Sequence, residues 1–133
     1  MNSARLMVRR TAWLFAVIMA MSSIIVHASP VTISPRQAAQ HVGEQVTVKG
    51  RVVVVYTAPH GETYLNFGAE YPNQLISVLI DAAHADQFPT VHDLEGRIVK
   101  VSGVIRLHRG KPEIVVERPD QLREWRLVQS ASK

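Results

Sequence analysis

Between positions 106 and 111, Arg106, His108, Arg109 and Lys111 form the one dense basic cluster downstream of residue 28. Guanidinium and ammonium groups at that density suit a phosphate backbone. Each phosphate neutralised on a single strand contributes about 0.7 to the log-log salt dependence of binding. Lys49 and Arg51 would extend the track along a neighbouring strand. Arg106 has a competing use, because a hairpin turning at Arg109-Gly110 sets it opposite Glu113 as a cross-strand charge pair. Arg109 and Lys111 are therefore the stronger phosphate candidates.

The second candidate group is aromatic. In Thr63-Tyr-Leu-Asn-Phe67, strict alternation puts Leu65 and Phe67 on one face of a strand and Tyr64 and Asn66 on the other. A tyrosine on the polar face can stack on a base, an interaction contributing roughly 1–3 kcal/mol per base. Tyr56 has two readings. With unbroken alternation from Val46, Val48, Val52 and Val54 it packs inward. If a coil at Gly50 adds one residue, Val53 and Val55 become core and Tyr56 turns outward beside Tyr64.

Other chemistries find little support. His41, His60, His84, His92 and His108 are scattered, and none forms an i, i+3 or i, i+4 pair with carboxylate support of the kind that binds metal. Asp81, Asp86, Asp93 and Glu95 border a helix-compatible stretch, where acids usually cap. No phosphate-binding glycine loop, nucleophile elbow or zinc-protease helix occurs. The chain has no cysteine, which removes disulfides, thiolate metal sites and cysteine nucleophiles. A non-enzymatic binding role without a cofactor is expected.

The elements that must position these residues follow from pattern. Ser34-Pro35-Arg36-Gln37 is a capping box with proline at the first helical position, predicting a short helix over Pro35 to His41 that presents Ala38, Ala39 and Val42. A long strand runs from Gln45 to Thr57, a second over Thr63 to Phe67, and a third over Leu75 to Ile80. Ala82 to Phe88 is helix-compatible before Pro89. The fourth and fifth strands form the hairpin around Arg109-Gly110, in a register that places Ile105 opposite Ile114 and Gly103 opposite Val116. Leu122, Trp125 and Val128 space like one face of a C-terminal helix covering an open barrel end. The two valine strands recur as Gln45-Val-Thr-Val-Lys-Gly50 and Ile98-Val-Lys-Val-Ser-Gly103, each broken by a glycine that suggests a bulge or sharp coil. The expected fold is all-β: a five-stranded Greek-key OB-fold barrel with a short N-terminal helix and a helical segment between strands 3 and 4. A β-sandwich would need about seven strands.

Met1 to Ala28 reads as a secretory signal peptide, with Arg5, Arg9 and Arg10 ahead of an apolar run and Val26-His27-Ala28 as the cleavage site. The alternative is a retained anchor. Positions 29–133 are expected to form one domain in the periplasm or outside the cell, with no stable membrane insertion after cleavage. The chain carries 15 Lys and Arg against 11 Asp and Glu; the leader holds three of the bases and no acid, leaving 12 against 11. That near-neutral balance makes local clustering, not net charge, the argument for nucleic acid.

Tyr64-Leu-Asn-Phe-Gly68, with Leu94-x-Gly96-x-x-Val99-x-Val101-x-Gly103 and Gly110-x-Pro112-x-Ile114, resembles bacterial OB-fold nucleic-acid-binding domains of the tRNA-anticodon-binding type, over about Ser34 to Leu122. The resemblance implies a groove on strands 2 and 3 flanked by the hairpin loop between strands 4 and 5. Single-stranded nucleic acid would bind there weakly and with little sequence preference. The nucleic-acid-binding residues expected are Tyr64, Asn66, Arg109, Lys111, Arg51, Tyr56 and Arg106. A second resemblance is to exported single-barrel OB-fold proteins linked to stress tolerance, which implies a periplasmic protein partner and no nucleic acid. Their usual aromatic-x-x-Asp-x-Thr-Gly strand is not matched by Leu65-Asn-Phe-Gly-Ala69.

Overall fold

The structure, a computed structural model, describes residues 25, 26 and 28–127. The expected leader falls almost wholly outside them, as does Val128. Among the described residues no helix is long and apolar enough to cross a membrane.

The fold is all-β. Among the described residues, eight strands, β1 Val31–Ile33, β2 Gln45–Thr57, β3 Thr63–Phe67, β4 Ile76–Ile80, β5 Ile98–Val104, β6 Arg106–His108, β7 Lys111–Val115 and β8 Leu122–Glu124, are joined by loops and four 3₁₀ turns. The hydrogen-bonded order is β6-β7-β4-β3-β2-β5-β8, with β1 added in parallel beside β2. β4 and β7 run parallel; every other pair on that path is antiparallel. Alternating valines and isoleucines of β2 to β7 fill the interior, with Val48, Leu65, Phe67, Val78, Val101 and Ile114 fully buried.

The expected five strands become eight for identifiable reasons. Val31-Thr-Ile33 is a β-branched run that pairs with the first half of β2, Val31 beside Val46 and Ile33 beside Val48. The fourth strand divides at Ile105, whose N–H turns to the Glu44 carbonyl (3.1 Å), separating β5 from β6. The anticipated C-terminal helix face is instead β8: Leu122 pairs with Val101, and the Trp125 N–H extends the ladder to the Ile98 carbonyl at 2.8 Å. The half-buried Trp125 ring lies 3.4 Å below the Lys49 ammonium, a cation-π contact.

The helical segments are shorter than expected. Pro35–Gln40 is a 3₁₀ turn whose capping box survives, the Ser34 N–H donating to Gln37 Oε1 at 2.9 Å. Only Ala38 of its apolar residues is buried; Ala39 and Val42 face solvent. Between β4 and β5, two 3₁₀ turns, Ala85–Gln87 and Val91–Leu94, replace the anticipated helix.

Both strand glycines serve close packing. A Cβ on Gly50 would lie 2.5 Å from Pro35 Cγ, and one on Gly103 would lie 2.6 Å from Ile114 Cγ2. The irregularity in β2 comes later: pairing with β3 jumps between Val52 and Val54, so one residue is extra. Val52 and Val55 are buried and Val53 is 38% exposed, so Val55 enters the core but Val53 does not. The Glu95 carboxylate accepts the Val55 N–H at 2.9 Å, giving this acid a structural partner at the bulge.

Candidate nucleic-acid interface

The parity change in β2 has its main consequence at Tyr56, which is turned outward, 53% exposed, and stands directly opposite Tyr64. Of the two readings of Tyr56, the outward one holds, through the bulge after Val52. Next to this pair runs a polar row across four strands. Asn66 on β3 faces Ser77 on β4, Ser77 faces Glu113 on β7, and Glu113 faces Arg106 on β6. Alternation with the buried Leu65, Val78 and Ile114 keeps these polar side chains on the opposite face of the sheet from the main core.

A cavity of about 520 Å³ opens over this face. Tyr56, Tyr64 and Tyr71 line it together with Asn66, Ser77, Gln74 and Glu113, and Arg109 and Lys111 of the hairpin border it. The turn that presents the two cations needs left-handed backbone at both central residues, φ 50° at Arg109 and 77° at Gly110. That conformation matches the twist of the flanking strands and fixes the register Arg106 to Glu113 and His108 to Lys111, as the sequence predicts.

Five of the seven expected residues, Tyr56, Tyr64, Asn66, Arg109 and Lys111, therefore line one cavity. Asn66 is more covered than expected, only 7% exposed, with its Oδ1 accepting the Ser77 hydroxyl at 2.7 Å. Arg51 lies elsewhere: it pairs with Ile98 on β5, and its guanidinium donates to the Gly96 carbonyl. Arg106 is committed to Glu113, with Nε and Nη2 both donating to Oε1 at 3.0 and 2.6 Å. The carboxylate of that pair is buried, not on an open outer face: Glu113 is 3% exposed. Lys49, held over Trp125, belongs to the other end of β2.

Three contributors were not anticipated: Tyr71, Gln74 and Ser77. Tyr71-Pro72-Asn73 was readable as a turn, but not as a turn that folds over the β3 and β4 face. Gln74 is 6% exposed, and its Oε1 is buried with no hydrogen-bond partner. Leaving a buried acceptor unsatisfied costs about 1–3 kcal/mol, so a native orphan of this kind needs a reason. At Tyr64, burial, then the negative charges of Glu113 and Glu62, push the phenol above the usual value, against the opposing pull of Arg109 and Arg106.

A second cavity, about 590 Å³, lies at the other end of the hairpin near Gln45, Val104, Arg118 and Gln121. Several of its polar groups are paired with one another. Gln121 Nε2 donates to the Ser102 carbonyl, Gln121 Oε1 accepts the N–H groups of Glu117 and Arg118, and Arg118 meets Asp120. Three of the histidines have hydrogen-bond partners: His41 with Glu44, His84 with Asp81 and His92 with Thr57. Among the described residues no group of three or more His, Asp or Glu side chains could hold a metal ion.

No known family and no curated protein matches the sequence. Among solved structures the chain is similar to a protein from Leishmania major Friedlin described as an aspartyl-tRNA synthetase, with a TM-score of 0.51 at 11% identity. The alignment covers 78% of this chain and 22% of that one, so the chain spans about a fifth of its neighbour's length. At that identity the likeness concerns the fold.

Proposed function

We propose that this chain is an exported, non-enzymatic OB-fold module that binds single-stranded nucleic acid in the cavity above β3 and β4. The observation that carries the reading is the meeting, in one cavity, of three tyrosines with Arg109 and Lys111. Tyrosine faces stack on bases while the cations draw the phosphates, the combination that single-strand binders use. The sheet order supports the OB-fold part of the reading. β2 pairs with both β3 and β5, β4 and β7 pair in parallel, and the close approach of Gly103 to Ile114 would close the barrel between β5 and β7. The sequence resemblance to tRNA-anticodon-binding OB domains and the fold likeness to part of an aspartyl-tRNA synthetase point the same way.

Fluorescence-anisotropy titration with a labelled mixed-sequence single strand at two salt concentrations tests this. Saturable binding that weakens with salt is the expected result. No binding at low salt would leave the second reading, a periplasmic protein-interaction or stress-tolerance module. The balance of 12 bases against 11 acids outside the leader is the observation that favours that alternative.

A further inference from the structure

Across β2, β5 and β8, away from the tyrosine cavity, three cations stand in one row. Lys49 is the Cα partner of Lys100, and Lys100 that of Arg123. Each is flanked in its strand by core residues, Val48, Val99, Val101 and Leu122, so the three side chains project from the outer face of the sheet. Like charges directly opposite one another are destabilising, because their Cβ atoms lie only about 4.5–5.5 Å apart. Elsewhere the chain avoids this arrangement: Arg106 faces Glu113, and the remaining ion pairs among the described residues join positions two or three apart. No carboxylate among the described residues pairs with Lys49, Lys100 or Arg123. Beside the row, the Thr47 and Ser102 hydroxyls bond to each other at 2.8 Å, and Arg51, Ile98 and Trp125 follow on its other side. The acid of β8, Glu124, shares its side of the sheet with the buried Val99 and is taken by Arg126.

We infer that this face docks the protein on the surface of an anionic lipid bilayer, with Lys49, Lys100 and Arg123 meeting the headgroup phosphates. Negative headgroups supply the charge that the sheet withholds from the row, and their presence turns the repulsion between facing cations into shared attraction. Neither cavity described above is lined by Lys49, Lys100, Arg123 or Trp125, so the cations belong to an open sheet face and not to a groove that would track a strand. The chain itself leads this face to lipid. The apolar stretch 11–26 ends five residues before β1, a span of about 17 Å at full extension, and β1 lies beside β2 at the margin of the same sheet. A leader engaged with a bilayer therefore brings the cation row to headgroups, and after cleavage the row remains as a reversible attachment. Trp125, next to the row, is the residue type that favours headgroup depth. The inference is independent of what the tyrosine cavity binds.

Sedimentation of the protein with vesicles of phosphatidylcholine alone, and of phosphatidylcholine mixed equally with phosphatidylglycerol, tests this at low and high salt. Each cation near an anionic surface contributes roughly fivefold, so the mixed vesicles should retain the protein on the order of 100-fold more strongly at low salt. Lys100→Ala should lose about fivefold of that retention and Lys100→Ala with Arg123→Ala about thirtyfold, while Lys100→Arg keeps it. Both side chains are exposed, so thermal midpoints of these variants should hold or rise as facing like charges are removed. Equal retention on neutral and anionic vesicles would place the attachment in the apolar leader and overturn the inference. Charge-dependent retention that the double variant leaves unchanged would overturn it too, by assigning the attachment to other cations. The double variant should also leave affinity for a labelled single strand unaltered. Loss of strand binding in a protein indifferent to vesicle charge would make the row a nucleic-acid contact instead. A protein that binds anionic vesicles through the row and no strand at all would remove the nucleic-acid reading and leave this inference standing.

Discussion

The number of phosphates held at the hairpin can be worked out from which cations are free. Arginine or lysine side chains stand at three of residues 106–111, yet Arg106 spends both of its hydrogen bonds on the buried Glu113. Arg109 and Lys111 remain, both exposed and both at the cavity. Two phosphate contacts on a single strand give a log-log salt slope of about −1.4, so raising salt from about 50 to 200 mM should weaken binding about sevenfold. Lys111→Ala should halve the slope to about −0.7 and reduce the salt effect to roughly threefold. Tyr64→Ala should lower affinity with the slope unchanged, since stacking releases no counterions. Anisotropy titrations at four or five salt concentrations, at pH 8, measure all three slopes. A wild-type slope steeper than about −2.5 would mean that cations away from this cavity carry the binding. A Lys111→Ala slope equal to wild type would remove the hairpin from the interface.

Other consequences are independent of that experiment. Tyr64→Ala should reduce affinity about 5- to 150-fold, equivalent to about 1–3 kcal/mol, while Tyr64→Phe keeps most of it, because stacking uses the ring and not the hydroxyl. Gly103→Ala places a methyl 2.6 Å from Ile114 Cγ2 and should destabilise the fold by about 1–3 kcal/mol in urea unfolding. Gly96→Ala meets nothing within 4 Å but sits at φ 79°, so its cost of about 1–2 kcal/mol is conformational, and Gly96→Asn should recover part of it. The Asp81 carboxyl is held below its ordinary value of 3.8, chiefly by the hydrogen bond from His84. A depressed carboxylate stabilises the fold above its unfolded-state value and loses that contribution as pH falls through the folded one. Thermal midpoints of Asp81→Asn should therefore lie below those of the unaltered protein above about pH 4 and converge with them as pH falls further through the folded carboxyl's range.

The sheet was largely legible because period-2 alternation is dictated by the pleat. β2, β3, β4 and the hairpin all announce themselves in valine and isoleucine spacing, and Arg109-Gly110 supplies the backbone freedom its turn requires. Strands of three residues were not legible, since three β-branched residues at Val31–Ile33 carry too little pattern to separate from a loop. Leu122, Trp125 and Val128 fit helical spacing, but the pairing of β8 with β5 decides that segment, a tertiary effect that local spacing does not encode. The glycines were visible as special positions while their purpose was not: close packing and a bulge both ask for a missing Cβ. Only the positions of Pro35 and Ile114 distinguish the two.

The candidate site divides along the same line. Tyr64 and Asn66 follow from one strand's alternation, and Arg109 and Lys111 from a turn, so each is a local inference that the fold then gathers. Tyr56 depends on a single extra residue between Val52 and Val54, and its direction is undecidable until the pairing with β3 is known. Gln74 and Glu113 are harder again. In sequence Gln74 is an ordinary loop amide and Glu113 the partner of Arg106, and nothing local says that both are withdrawn from water. Their burial comes from the Tyr71–Asn73 turn and from the parallel pairing of β4 with β7, which brings Ser77 beside Glu113 across 36 positions of chain. The buried polar residues of the cavity are thus the ones placed by the longest-range contacts, whereas those that would hold nucleic acid are placed by local pattern. A change in the Tyr71–Gln74 turn should therefore reshape the cavity, whereas a change in the Arg109-Gly110 turn should weaken the hold on the strand.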